Sequence, residues 1–281
     1  MAKKWNLIVD VERCDNCRVC FLAVKDEYIG NDFPGVSAAQ PPQGHNWLDI
    51  KREERGSYPI VEARFYPVMC NHCDAAPCMD VAQGAITKRP DGIVIIDPEL
   101  ARGRKEIVDA CPYGAICWNE ELQLPQAWPF DAQLLDAGWT RTRGEQACPA
   151  QVFRTIKVED AEMQRIKAAE GLEVLQPELG TKPRVYYKNL HLITTCFVGG
   201  TVVKRVGGVE ECAGDVEVVL KQGGREVGRA KTDFFGEFKI DKLEPNSGSY
   251  QIEAAAPAGR ATLQFDLAAD SRYLGVITLA A

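Results

Sequence analysis

The spacing of apolar positions changes partway along the chain. Up to about residue 155, short apolar runs such as NLIVDV and GIVIID stand between cysteine-bearing loops and turns rich in proline and glycine. Long helical periodicity is scarce there, so this region makes a poor core from its own side chains. Around residues 157–175, KVEDAEMQRIKAAEGLEVL predicts a charged connecting helix with Met163, Ile166 and Leu172 near one face and Gly171 as its stop. The next stretch, PELGTKPRVYYKNL, carries two prolines and a glycine and predicts an extended strap lying on a surface. From about residue 195 the period becomes two. Val216, Val218 and Leu220 alternate with other residues before Gly223-Gly224, and a polar return strand follows, a hairpin signature. Phe238, Ile240, Tyr250 and Ile252 continue the alternation, which predicts a small antiparallel β-sandwich. The expected organisation is α+β, with a cysteine-rich domain over 1–156, a helix and extended connector over 157–194, and a sandwich over 195–281.

Charge narrows the partners. The 281 residues include 33 basic and 40 acidic side chains, a formal charge of −7, which argues against nucleic acid or anionic lipid. The opening MAKKWNLIVDVERC has two lysines but only a short apolar stretch before Asp10 and Glu12, so it reads as neither a secretory signal nor a membrane span. The expectation is a cytoplasmic protein with no membrane anchor in this chain. No nucleophile motif, Cys–His pair or phosphate-binding glycine loop stands out, so the chain offers no catalytic constellation of its own.

Cysteine supplies the chemistry. Nine of the eleven cysteines lie before residue 150, and in a cytosolic chain thiols are kept reduced, which favours metal ligation over disulfides. Two tricysteine runs occur, Cys14-x2-Cys17-x2-Cys20 and Cys70-x2-Cys73-x4-Cys78, and two lone cysteines each precede a proline, Cys111-Pro112 and Cys148-Pro149. A ferredoxin-type cubane takes three thiolates from one tight loop and a fourth from a distant Cys-Pro. Three plus one occurs twice, leaving Cys117, Cys196 and Cys212 as ordinary small hydrophobes. Zinc also favours four cysteines, but its ribbons usually pair two C-x2-C knuckles. His72, between two cysteines, reads as a packing residue or a donor behind the ligands, and His45 and His191 show no ligand spacing.

The stretches HNWLDIKREERGSYP, CNHCDAAPC, DGIVIIDPE, CPYGAICWNEE and PELGTKPRVYYKNL resemble the ferredoxin-like iron–sulfur subunits of molybdopterin oxidoreductases related to dimethyl sulfoxide reductase. Among these the resemblance runs to the small subunits of the pyrogallol–phloroglucinol transhydroxylase and resorcinol hydroxylase type. AKTDFFGEFKIDKLEPNSGSYQIEA resembles transthyretin-like and Cna-B-like sandwich modules. The family resemblance implies a duplicated ferredoxin-like domain whose four cysteine runs exchange their last ligands, first with fourth and second with third. Carried over, it gives one 4Fe-4S cluster on Cys14, Cys17, Cys20 and Cys148 and another on Cys70, Cys73, Cys78 and Cys111. It also implies two further clusters that this chain lacks. The partner position after the second run is Ala82, and the approach to Cys111 reads ARGRKEIVDAC; Val24, Trp128, Asp131 and Gly144 stand at the other set.

The implied function is an iron–sulfur electron-transfer subunit of a heteromeric enzyme that hydroxylates or transhydroxylates polyhydroxylated benzenes. The catalytic site, with molybdopterin guanine dinucleotide and molybdenum or tungsten, is expected in a large partner subunit. Two alternatives are a self-standing ferredoxin-like carrier and a scaffold whose clusters are purely structural. Tyr186 and Tyr187 beside Lys188 serve either as docking residues or as packing under the sandwich.

Overall fold

The run KWNLIVD is buried almost end to end, as expected of a strand covered on both faces. In the computed structural model, which describes residues 2–280, strand Lys4–Asp10 is the middle of a three-stranded sheet. Phe153–Val158 pairs with it antiparallel on one side and Val185–Lys188 parallel on the other. The helix expected after residue 157 runs Asp160–Glu170 and ends on Gly171, whose φ of +61° makes the left-handed cap that glycine adopts at least cost. Met163 and Leu172 pack with Ile8 and Tyr186, and Ile166 joins them from the edge.

The chain divides into two compact units. The first comprises 1–52 and 64–190, so the segment expected as a connector over 157–194 belongs to it up to residue 190. The strap is less of a surface feature than its prolines suggest. After a short 3-10 turn at Pro177–Leu179 it becomes strand Val185–Lys188. Tyr186 and Tyr187 are both buried, and the Tyr187 hydroxyl donates to the Pro67 carbonyl at 2.9 Å. Buried tyrosines cannot serve as exposed docking residues, so the packing alternative holds, though inside the first unit.

The second unit comprises 191–281 together with 53–63. Two four-stranded sheets build it. One joins Cys196–Val206 with Val209–Cys212, Glu237–Leu243 and Arg272–Thr278; the other runs Arg225–Lys231, Glu217–Gln222, Gly248–Ala256, Gly259–Leu267. The expected hairpin turns on Gly223 and Gly224, both at positive φ, with Gln222 opposite Arg225. Val216, Val218, Leu220, Phe238, Ile240, Tyr250 and Ile252 all lie in its core. One strand departs from the antiparallel expectation: Arg272–Thr278 runs parallel to Cys196–Val206. Among the described residues no helix is long and apolar enough to cross a membrane.

Residues 53–63 form the tip of a hairpin between strands Leu48–Ser57 and Ile60–Met69. Its polar sequence gives no periodic signal, because charge rather than apolar burial fixes it. Arg55 is buried; its guanidinium donates to Asp241 at 3.0 Å, to Glu62 at 2.7 Å and to the Thr195 carbonyl at 2.8 Å. Lys239 meets both carboxylates, at 2.6 and 2.8 Å. Burial alone would raise the Asp241 carboxyl, but its hydrogen bonds from Arg55 and Lys239 hold it down at about 2.

Arg55→Met should therefore lower the stability of the second unit by about 2 kcal/mol or more, since it strands two partly buried carboxylates. Denaturant unfolding of the full-length chain checks this, with Arg55→Lys falling in between. Because the folded Asp241 titrates below its ordinary value of 3.8, its contribution is fully present above about pH 4. It should be lost as pH falls toward 2, and stability measured in the variant should be correspondingly less sensitive to acid.

Candidate metal centres

Each tricysteine run folds as a tight loop in which the backbone reverses handedness. Asn16 and Arg18 take φ of +61° and +59° between the first three cysteines, and His72 takes +46° between Cys70 and Cys73. Left-handed residues set among ordinary ones turn successive N–H groups toward one concavity, a geometry that holds anions. These turns and the helices that begin at Val19 and Pro77 both supply donors to the sulfurs. Backbone N–H groups of Asn16, Phe21, His72 and Met79 reach Cys14, Cys20, Cys70 and Cys78 respectively. Val152 N–H donates to the Cys148 Sγ at 3.4 Å.

The structure brings Cys14, Cys17, Cys20 and Cys148 together: Cys14 and Cys20 both lie close enough to Cys17 and Cys148 to feel their charge. It does the same for Cys70, Cys73, Cys78 and Cys111. Burial pushes the Cys20 thiol up to about 12 and Cys78 to about 11, with neighbouring thiols adding to each, and raises Cys70 well above its ordinary value. Without a compensating cation these groups stay protonated; with one bound they release protons and ligate. Among the described residues no three His, Cys, Asp or Glu side chains converge as they would on one metal ion. Cys117, Cys196 and Cys212 lie outside both groups; Cys196 is buried in the sandwich core.

The strap closes over the second loop. Asp74 and Ala75 donate N–H bonds to the Lys182 and Thr181 carbonyls at 2.9 and 3.0 Å, and Arg184 N–H donates to the Asn71 carbonyl at 2.8 Å. The Thr181 hydroxyl bonds the Cys73 sulfur and lies 2.6 Å from the Tyr113 hydroxyl of CPYG. Neither Thr181 nor Tyr113 has a sequence signal of its own; the stretches GTKPR and CPYG that carry them are the only pointer.

The positions where cysteines are missing also meet in space. Counting back from Cys111 with the ferredoxin spacing C-x2-C-x2-C-x3-C gives Ala101, Arg104 and Ile107. Ala101 and Ile107 are fully buried with Ala82 in one apolar cluster, against which Cys78 and Cys111 pack. Arg104 caps it by hydrogen bonds to the Ala82 and Val81 carbonyls.

At the other set, a Cβ on Gly144 would stand 3.8 Å from Val24 and 3.7 Å from Cys20. The fully buried Asp131 accepts from Trp128 Nε1–H and the Tyr28 hydroxyl, each at 2.8 Å, and from Arg143 N–H at 2.7 Å. Burial nevertheless leaves its carboxyl above the ordinary range. Trp128 stacks on Phe130 at 4.9 Å, and His72 stands edge-on to both. His72 accepts the Val94 N–H through Nδ1 at 3.0 Å, so its ring proton sits on Nε2. Burial, with Lys88 and Arg184 nearby, drives its pKa down to about 3 and keeps the ring neutral. His72 thus packs behind the second loop, with its Nε2–H buried and unpaired among the described residues.

Residues 61–159 match the 4Fe-4S dicluster domain family. The small subunit of pyrogallol hydroxytransferase from Pelobacter acidigallici is 42% identical over 257 residues, covering 90% of this chain and 91% of that one. A tetrathionate reductase subunit from Salmonella typhimurium is 30% identical, covering 66% and 73%. The iron–sulfur subunit of an arsenate respiratory reductase from Shewanella sp. strain ANA-3 is 31% identical, covering 47% and 52%. With thiol-lined loops of dicluster type and near full-length similarity to one such subunit, the chain belongs to the iron–sulfur subunit family of the molybdopterin oxidoreductases, alongside the small subunit of pyrogallol hydroxytransferase.

Proposed function

We propose that this chain holds two 4Fe-4S clusters, one on Cys14, Cys17, Cys20 and Cys148 and one on Cys70, Cys73, Cys78 and Cys111. It serves as the electron-transfer subunit of a large molybdopterin-dependent partner that hydroxylates or transhydroxylates polyhydroxylated benzenes. The observation that carries this reading is the gathering of eight cysteines from four separate stretches into two groups of four, each supplied with N–H donors. The similarity to the pyrogallol hydroxytransferase small subunit supports the aromatic substrate class and the large catalytic partner. When bound, the clusters supply one-electron redox chemistry, with potentials set by charge, hydrogen bonding and exposure. The protein's share is to hold the ligands, exclude water and direct donors at the sulfurs; hard bond-making belongs to the partner's cofactor. Two alternating sheets packed face to face support a transthyretin-like or Cna-B-like reading of the C-terminal unit.

A second reading, in which the clusters only hold the fold, draws on the refilled positions around Ala82 and Asp131. Each removed cubane widens the gap an electron must cross. A transhydroxylation without net redox change tolerates that, whereas hydroxylation by water must pass electrons on.

Cys111→Ser should remove about half the bound iron, with the loss falling on the second cluster and the spectrum of the first unchanged. Loss of the first instead contradicts the pairing. For the relay itself, the complex isolated anaerobically from its source should contain molybdenum or tungsten, and redox-poised EPR during turnover should show a cluster changing oxidation state when the phenolic substrate is added. Two clusters that stay in one state throughout turnover contradict the relay and leave the scaffold reading.

A further inference from the structure

Behind the second cysteine loop lies a buried charge that the ligand arrangement does not require. Lys88 ends the short strand Ile86–Lys88, and its side chain is largely buried, 18% exposed. Its ammonium donates to the carbonyls of His72 and Cys73, at 2.8 Å each, and meets the Asp74 carboxylate at 2.9 Å. Asp74 is also gripped by Arg184, whose Nε donates to it at 2.8 Å and whose side chain is only 3% exposed. Arg184 reaches Asp160 at 3.0 Å, and Asp160 meets Lys4 at 2.7 Å. Three cations (Lys4, Lys88, Arg184) thus face two carboxylates (Asp74, Asp160), so the network keeps a net positive charge against the loop. The room is specific: a Cβ on Gly92 would fall 2.9 Å from the Arg184 stem. By contrast Arg13 and Arg18, beside the first loop, are exposed and screened by water.

A one-electron reduction adds negative charge to a cluster, and a fixed cation in a desolvated setting favours the more negative state far more than a cation in water does. We propose that Lys88, held by the His72 and Cys73 carbonyls and paired with Asp74, sets the reduction potential of the cluster on Cys70, Cys73, Cys78 and Cys111. It is a positioning residue: it touches the backbone of the ligand loop and acts on the cluster through its field. This assignment rests on the proposed reading that the second group of cysteines carries a cubane.

The test is an EPR-monitored redox titration of the full-length chain in its anaerobically purified complex, comparing wild type with Lys88→Gln, Lys88→Arg and Asp74→Asn. Lys88→Gln should shift the midpoint of the second cluster to more negative potential, and Lys88→Arg should restore most of it. Asp74→Asn removes an anion while the ammonium keeps its two carbonyl acceptors, so it should shift the midpoint the opposite way. The first cluster should not move in any variant. An unmoved second midpoint in Lys88→Gln, or shifts of the same sign in Lys88→Gln and Asp74→Asn, overturns the assignment. Should Lys88→Gln lose the cluster, Asp74→Asn decides alone, and a midpoint that stays or falls overturns it. A wild-type chain without a second cluster overturns the ligand reading itself, which iron content distinguishes from a failure of the Lys88 assignment.

Discussion

The first unit depends on one electrostatic constraint: thiols gathered in desolvated loops ionise only when positive charge is delivered to them. Cys20, Cys70 and Cys78 are all driven upward by burial and by one another. On the proposed reading the iron of the clusters meets that demand, and the free energy of binding becomes free energy of folding. This accounts for a unit whose secondary structure, outside its three-stranded sheet and two longer helices, consists of short helices and two-stranded hairpins. The strap from Thr181 to Arg184 bonds to the second cysteine loop, while the fully buried Leu7, Tyr28, Trp47, Trp128 and Phe130 give the unit an apolar centre that the short apolar runs of its sequence do not suggest.

The vacated positions show the same constraint solved the other way. Where cysteines are missing they are missing as sets, and the space is filled by groups that need no metal. Ala82, Ala101 and Ile107 close one position with aliphatic packing. Trp128, Phe130, Asp131 and Tyr28 close the other with stacked rings and a carboxylate whose oxygens are satisfied by three donors. A cysteine stranded at either place would stay a neutral thiol with no metal to ligate. On the proposed reading Val24, beside Gly144, belongs to a filled site rather than a damaged one.

Much of this was legible in the sequence, because cysteine spacing and alternation of period two are local signals. The sandwich strands, the Gly223-Gly224 turn and the helix ending at Gly171 could all be read from such patterns. What escaped was non-local charge. Arg55, Glu62 and Asp241 are far apart in sequence and sit in polar stretches, so nothing marks residues 53–63 as part of the C-terminal unit. Lys88 and Arg184 are equally silent until Asp74 is seen between them. Tyr186 and Tyr187 were ambiguous for a related reason: the prolines before them suggest a surface strap, while parallel pairing with Leu7–Asp10 buries them.

The central claim is that two cubane sites are kept and two are filled by protein. The most direct measurement is the iron and acid-labile sulfide content of the anaerobically purified full-length chain, with zinc determined on the same sample. Two clusters require about eight irons and about eight sulfides per chain, with no stoichiometric zinc. About twelve or more irons, or zinc in place of iron, would contradict it.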